Sequence, residues 1–270
     1  MAETSQQELT EDQQKEAEQR SSVTVHVVHE AVRREGEEEL KRSSSALAWS
    51  GLAAGLSMGF SAIAEGLIRS RLPDAPWRPL LTTMGYSAGF LLVVLGRQQL
   101  FTENTLTPML PLFSNRDGAT LRNVARLWVV VLAANMVGAL VIAWVLAATG
   151  ALPPEVKRAL SDIARESSGL GFGVVLLRGV FAGWLIAMLV WMLPFAEGAR
   201  FFVVLGMTWL IGLGGFSHVV AGAVEALYLA VSGAGTWEGA ILGYIVPALI
   251  GNILGGVTLV AVINHAQVVS

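Results

Sequence analysis

The chain has 270 residues, of which 53% are hydrophobic and only 14% charged, and it contains no cysteine. A soluble domain carries about 25% charged residues, so this composition suits a protein whose main solvent is lipid. Without cysteine there are no disulfides, thiolate metal sites or cysteine nucleophiles, and the redox compartment stays open.

Charge is concentrated at the start: residues 1–45 hold 11 of the 21 acids and 6 of the 18 bases, a local net of −5 against +2 for the rest. This polar acidic tail, with Glu37-Glu38-Glu39 and many Gln and Ser, is expected to be disordered or to lie as a helix on the membrane surface. Val23, Val25, Val27 and Val28 form its only dense apolar cluster. The segment is too long and too acidic to precede a signal peptide's apolar core, so none is expected.

From Ala46 onward long apolar runs alternate with short polar breaks. A helix needs about 20 apolar residues to cross the hydrocarbon, which predicts spans over 46–68, 80–113, 122–149, 172–194, 201–231 and 239–264. The second and fifth are too long for one helix and too short for two. Each is interrupted near its middle, at Gly96 to Asn104 and at Gly212 to His218. Irregular backbone survives at membrane depth only when buried in protein or lining a wet cavity, so two broken helices are expected.

The two halves repeat one another. Phe101-Thr102 in the first break matches Phe216-Ser217 in the second, followed by Asn135-x-x-Gly138 and Asn252-x-x-Gly255. Spans one and four share the ladders Gly51-x3-Gly55 and Gly179-x3-Gly183, a spacing that lets helix backbones approach closely in lipid. Three spans per repeat is odd, so the halves lie in opposite orientations. The predicted fold is all-α: a six-span domain over 46–265, with inverted three-helix repeats at about 46–149 and 172–264 and a short tail over 266–270. Paired broken helices in inverted repeats mark a transport site near the midplane. With the N-terminus inside, inside segments carry 10 Lys/Arg and outside loops seven, a weak positive-inside bias toward cytoplasmic termini.

On these residues the chain resembles the formate/nitrite transporter family. The matches are Leu100-Phe101-Thr102, Gly215-Phe216-x-His218, Asn135-Met-Val-Gly138 and Gly251-Asn252-Ile-Leu-Gly255-Gly256, in order over roughly 46–265. The resemblance implies an aquaporin-like fold in the inner membrane, a homopentamer with one pore per subunit, and passage of small monovalent weak-acid anions with protons. It makes Thr102 the threonine of the first-break loop and His218 the central pore histidine. Tyr86, Phe90, Leu100, Phe101 and Ile211 fall at the apolar constrictions, with Phe216 and Ser217 in the second break.

The chain also departs from the family. Ser217 stands where the formate branch has Glu, Gly222 where Asn is common, and Glu103-Asn104 where small or hydroxyl residues are usual. The family's outer-vestibule lysine has no counterpart in 160–172, the nearest cation being Arg165.

Stripping water from a carboxylate-sized ion costs on the order of 20 kcal/mol. Protonating an acid of pKa about 4 at pH 7 costs only about 4 kcal/mol. The anion is therefore expected to cross the constrictions as neutral acid, with His218 as proton relay or hydrogen-bond donor and Thr102 holding the imidazole or the solute. Half-helix N-termini after the breaks would attract the anion. Asn135 and Asn252 are expected to fix helix packing around the breaks, Arg97 and Glu103 to neutralise one another, Glu65 to sit at headgroup level, and Glu225 to share the face of His218.

A neutral-solute channel and a non-conducting membrane scaffold or sensor are the competing readings. No enzyme, cofactor, metal site or nucleic-acid partner is expected. The four histidines are dispersed, and no carboxylate pair or nucleophile–base arrangement is visible.

Overall fold

The computed structural model describes residues 24–269. All the regular structure among them is helical. Helix α1 (Val25–Lys41) precedes α2 (Ser44–Arg69), whose start is capped by the Ser43 hydroxyl accepting the Ala46 N–H at 3.2 Å. The second span is α3 (Arg78–Thr82) running through a turn into α4 (Ser87–Leu95), then an irregular stretch, then α5 (Met109–Asn115). Helix α6 (Gly118–Ala148) completes the first repeat, its N-terminus capped by Asp117 accepting the Thr120 N–H at 2.8 Å.

The second repeat holds α8 (Phe172–Met192), the half-helices α9 (Arg200–Leu213) and α10 (Val219–Ser232), and a final helix α11 (Gly239–Val268). The α11 backbone widens to π-helical geometry over Gly239–Ile245 and Leu254–Val262. Five helical segments are long and apolar enough to cross a membrane, and α9 with α10 supplies the sixth passage as two halves. The expected spans thus recur within a few residues of their predicted ends.

Glycine decides how closely the spans pack. A Cβ at Gly55 on α2 would lie 2.3 Å from the carbonyl oxygen of Asn135, and one at Gly183 on α8 would lie 2.3 Å from that of Asn252. Backbone touches backbone at equivalent places in both repeats, as the small-residue ladders predict.

Three features add to the expectation or differ from it. The acidic tail is a helix over Val25–Lys41, packed with His29, Val32 and Gly36 buried, while 1–23 lies outside the described residues. Gly36 sits against the Thr107 carbonyl. Gln99 donates to Glu39 at 2.8 Å, and Arg126 donates to the carbonyls of Leu40 and Arg42 at 2.8 and 2.9 Å, tying α1 to the first break and to α6.

The loop expected over 150–171 contains α7 (Pro154–Ser168), which buries Val156, Ala159, Leu160, Ile163 and Ala164. These positions form a period-3.6 apolar stripe on a helix too short and too charged to span the membrane. Finally, the first break runs from Gly96 to Pro108, with one 3₁₀ turn at Glu103–Thr105, and the second is confined to Gly214–His218. Gly215 there has φ +58°, a left-handed backbone that glycine adopts without penalty.

Candidate pore site

Each break is held by one buried asparagine. Asn135 Oδ1 accepts the Phe101 N–H at 2.9 Å, and its Nδ2 donates to the carbonyls of Gln99 at 2.9 Å and Gly51 at 2.7 Å. Asn252 repeats the pattern: Oδ1 accepts the Val219 N–H at 2.8 Å, and Nδ2 donates to Ser217 O at 2.8 Å and Gly179 O at 2.9 Å. Both asparagines are fully buried. A primary amide is the smallest side chain with two donors and an acceptor, which lets it hold one open carbonyl and one N–H of the break while tying them to a carbonyl of the neighbouring span.

These bonds correct the register between the repeats. Gln99 corresponds to Ser217 and Phe101 to Val219, so Leu100 stands opposite His218. The similarity of Phe101-Thr102 to Phe216-Ser217 is a coincidence of residue types, because the amides read backbone atoms, not side chains.

The two breaks meet at His218. Its Nδ1 accepts the Ala221 N–H at 3.1 Å, making His218 the N-cap of α10, and its Nε2 lies 2.7 Å from Thr102 Oγ1. An N–H donor fills the Nδ1 lone pair, so the neutral ring carries its hydrogen on Nε2 and donates to Thr102. Thr102 and His218 are both fully buried. Phe90 meets the imidazole edge-on at 4.9 Å between centroids, and Tyr86 meets Phe90 at 5.3 Å. Ser61 fixes this stretch of α4 by donating to Tyr86 O at 2.5 Å and accepting the Gly89 N–H at 3.1 Å. Phe101 packs edge-on against Trp128 of α6 at 5.7 Å, on the helix side of the break.

A cavity opens on either side of this layer. One, of about 480 Å³, is lined by Glu65, Thr82, Tyr86, Arg178, Ile211, Phe216, Ser217, Glu225 and Tyr244, with α7 at its rim through Glu166 and Ser167. The other, of about 600 Å³, is lined by Arg97, Gln98, Gln99, Glu103, Arg200 and the Glu35–Glu39 face of α1. Residue 86 faces the first and Val94 the second, so Phe90 lies midway along α4. Phe90, Leu100, Thr102 and His218 have no exposed surface and separate the two vestibules.

Several expectations change. Arg97 and Glu103 do not pair: no ion pair joins them among the described residues, and Glu103 Oε1 is buried without a partner. Arg97 has a left-handed backbone (φ 49°) directly after α4, so no helix carries the two residues onto one face. Glu65 is 4% exposed and lines the first cavity.

Arg165 lines a separate small pocket, and the cations facing the first vestibule are Arg69, Arg78 and Arg178. Gly222 leaves room for a tyrosine, since a Cβ there would lie 1.8 Å from Tyr244 Oη. Tyr244, Arg178 and Ser167 escaped the sequence reading because their role depends on which helix they face. The α10 spacing of Glu225 from His218 was the one available signal for the first vestibule.

Comparison with known proteins matches residues 26–266 to the family described as formate/nitrite transporter. The chain belongs to the formate/nitrite transporter family. The matched region includes most of α1, which the sequence motifs alone left outside. The chain is 40% identical to inner membrane protein YfdC of Escherichia coli, over 89% of this chain and 78% of that protein. It is 28% identical to a formate channel, BtFdhC, of Bacillus thuringiensis, over 74% and 78%. Among solved structures, an FNT family ion channel superposes with TM-score 0.73 at 18% identity, covering 89% of this chain and 98% of that one. A pentameric formate channel with formate bound gives 0.66 at 18%, covering 88% and 99%. The six-span fold with two broken helices is therefore the family's fold.

Proposed function

We propose that the chain forms a pore for small monovalent weak-acid anions of the formate and nitrite type, which pass the central layer as neutral acids. The observation that carries this reading is the buried Thr102–His218 contact, where both helix breaks meet between two polar vestibules. An apolar layer of this kind excludes ions by desolvation cost and admits a neutral acid that finds one or two hydrogen-bond partners.

Thr102 accepts from His218 Nε2–H, so its own hydroxyl hydrogen is free to donate to the solute. His218 acts as a donor held in one tautomer. Adding a proton at Nδ1 would break the α10 cap, so the geometry favours hydrogen-bond donation over proton relay through the ring. Names of relatives support the substrate class: a formate channel in Bacillus thuringiensis and a structure with formate bound. By the same analogy we place the chain in the inner membrane as a homopentamer, and the weak positive-inside bias puts α1 and both termini on the cytoplasmic side. Carboxylates in both vestibules favour a second reading, a channel for neutral solutes.

Stopped-flow light scattering on proteoliposomes decides between them, comparing formate, nitrite, acetate, hydrosulfide and glycerol at pH 5 and pH 7 with His218→Asn alongside. The asparagine retains an oxygen able to cap α10 but loses Nε2–H. Acid-stimulated anion flux that falls in His218→Asn, with the melting temperature nearly kept, is the expected result. Glycerol flux alone supports the neutral-solute channel, and no flux from folded protein supports the scaffold.

A further inference from the structure

Two carboxyls face the α7-side vestibule from opposite helices. Glu65 on α2 is 4% exposed and Glu225 on α10 is 5% exposed. Glu65 Oε2 is buried without a hydrogen-bond partner, and Glu225 Oε2 accepts from the Ser167 hydroxyl at 2.6 Å. No ion pair among the described residues involves either of them.

The guanidinium groups of this cavity are engaged elsewhere. Arg69 holds Glu166 through two bonds of 2.6 and 2.9 Å, Arg78 holds Asp74 at 2.9 Å, and Arg178 reaches the Gly215 carbonyl at 3.4 Å. The remaining titratable groups facing the pair are the phenols of Tyr86 and Tyr244. Two carboxylates in one partly desolvated cavity, neither in an ion pair and with the nearby Arg69 already bound to Glu166, are relieved by sharing a proton.

A separate feature marks the cavity as a binding place. Thr82, 5% exposed and lining the same space from α3, has its hydroxyl buried without a partner. A buried hydroxyl and a buried carboxyl oxygen left unpaired around one cavity leave hydrogen-bonding capacity for a small polar ligand.

We propose that Glu65 and Glu225 are a proton-sharing carboxyl pair that hands its proton to the incoming anion in this vestibule, before the solute meets the His218 layer. The inference rests on the weak-acid reading and names the proton donor that reading needs. His218 is poorly placed for that task, since its Nδ1 lone pair already holds the Ala221 N–H. Glu225 lies seven residues along α10 from His218, about 10 Å by helical rise, so protonation precedes the constriction. In the step, the carboxyl O–H breaks as an O–H forms on the anion. The pair is left with both carboxylates charged and regains a proton from vestibule water. Thr82 donates its hydroxyl hydrogen to the anion's other oxygen.

The test uses the full chain reconstituted in liposomes, with formate as solute, an entrapped pH dye and protein-free vesicles subtracted. Wild type is compared with Glu65→Gln, Glu225→Gln, the double variant, Glu225→Asp, and Glu155→Gln on the exposed face of α7 as control. Each is first shown to elute as the wild-type assembly.

The double glutamine variant is expected to lose flux at pH 7 by about tenfold or more, the ratio of one pKa unit. It should recover as the pH is lowered toward the acid's own pKa. Glu155→Gln should keep the wild-type profile, and Glu225→Asp, a carboxyl drawn back by one methylene, should fall between wild type and the double variant at pH 7. A double variant whose profile superimposes on wild type overturns the carboxyl pair and leaves the weak-acid reading standing. Equal loss at every pH, shared by Glu225→Asp, assigns a packing role and also overturns it. A wild type with no formate flux at either pH overturns the weak-acid reading, and the pair's role with it.

Discussion

At the scale of single residues, Asn135 and Asn252 do most to hold the site. Each satisfies one carbonyl and one N–H that a broken helix leaves open and bonds a second carbonyl on a neighbouring intact span, Gly51 on α2 or Gly179 on α8, and each is fully buried. A hydrogen bond is worth about 1 kcal/mol net, and a buried polar group left unpaired costs about 1–3 kcal/mol. Asn135→Ala and Asn252→Ala are therefore each expected to destabilise the fold by about 3 kcal/mol or more, read as a lowered melting temperature in detergent. Asn→Asp would keep the acceptor but place a charge beside two carbonyls, and should be no better. His218 joins two duties in one ring, capping α10 through Nδ1 and meeting Thr102 through Nε2.

At the scale of elements, the packing of α2 on α6 and of α8 on α11 depends on where glycine stands. Gly55→Ala and Gly183→Ala place a methyl 2.3 Å from a carbonyl oxygen, a clash only helix displacement can relieve. Both are expected to reduce the yield of folded protein sharply in a fluorescence-detected size-exclusion assay. Gly206→Ala on α9 meets nothing within 4 Å and should stabilise by up to about 1 kcal/mol through helix propensity.

Helix α1 is held differently. His29 is buried against Trp191, with its Nε2 3.0 Å from His265 Nδ1. Burial, and secondly the neighbouring His265, hold the His29 pKa below its usual 6.5. With the folded value depressed, docking of α1 is fully present above about pH 6.5 and is lost as pH falls through the lower folded value, because the released helix binds the extra proton. Hydrogen exchange over residues 25–41 should therefore speed up between pH 7.5 and pH 5. His29→Gln should weaken that dependence.

At the scale of the whole molecule, polar and charged side chains line both vestibules, while the layer between them is apolar apart from the Thr102–His218 contact. Leu100 is fully buried and stands opposite His218 in the pseudo-symmetry. In the proposed pore it would close the path from the first repeat as the histidine would from the second. Leu100→Ala is expected to raise acetate flux relative to formate at pH 5, because it widens the layer without adding a charge. An unchanged acetate-to-formate ratio by light scattering would show that the limit lies elsewhere. The outer surface carries Trp49 at 72% exposure, Val129 and Phe202 at 69%, and Trp144 at 55%. Such side chains belong against lipid or a neighbouring copy.

Much of this was legible in the amino-acid order by itself. Hydrocarbon thickness sets how long an apolar run must be, so six passages and two interrupted ones follow from composition along the chain, and so do the paired Asn-x-x-Gly and glycine ladders. The tertiary structure alone decided which residues meet. Thr102 and His218 are 116 positions apart, and no local period reports such a contact. The same holds for Glu65 and Glu225, which share a cavity because α2 and α10 face it from opposite repeats. The register that sets Leu100 against His218 is written in the bonds that Asn135 and Asn252 make to backbone atoms of the breaks, which the side chains of the break residues themselves do not encode. The docking of α1 and the packing of α7 likewise depend on surfaces that exist only once the spans have assembled.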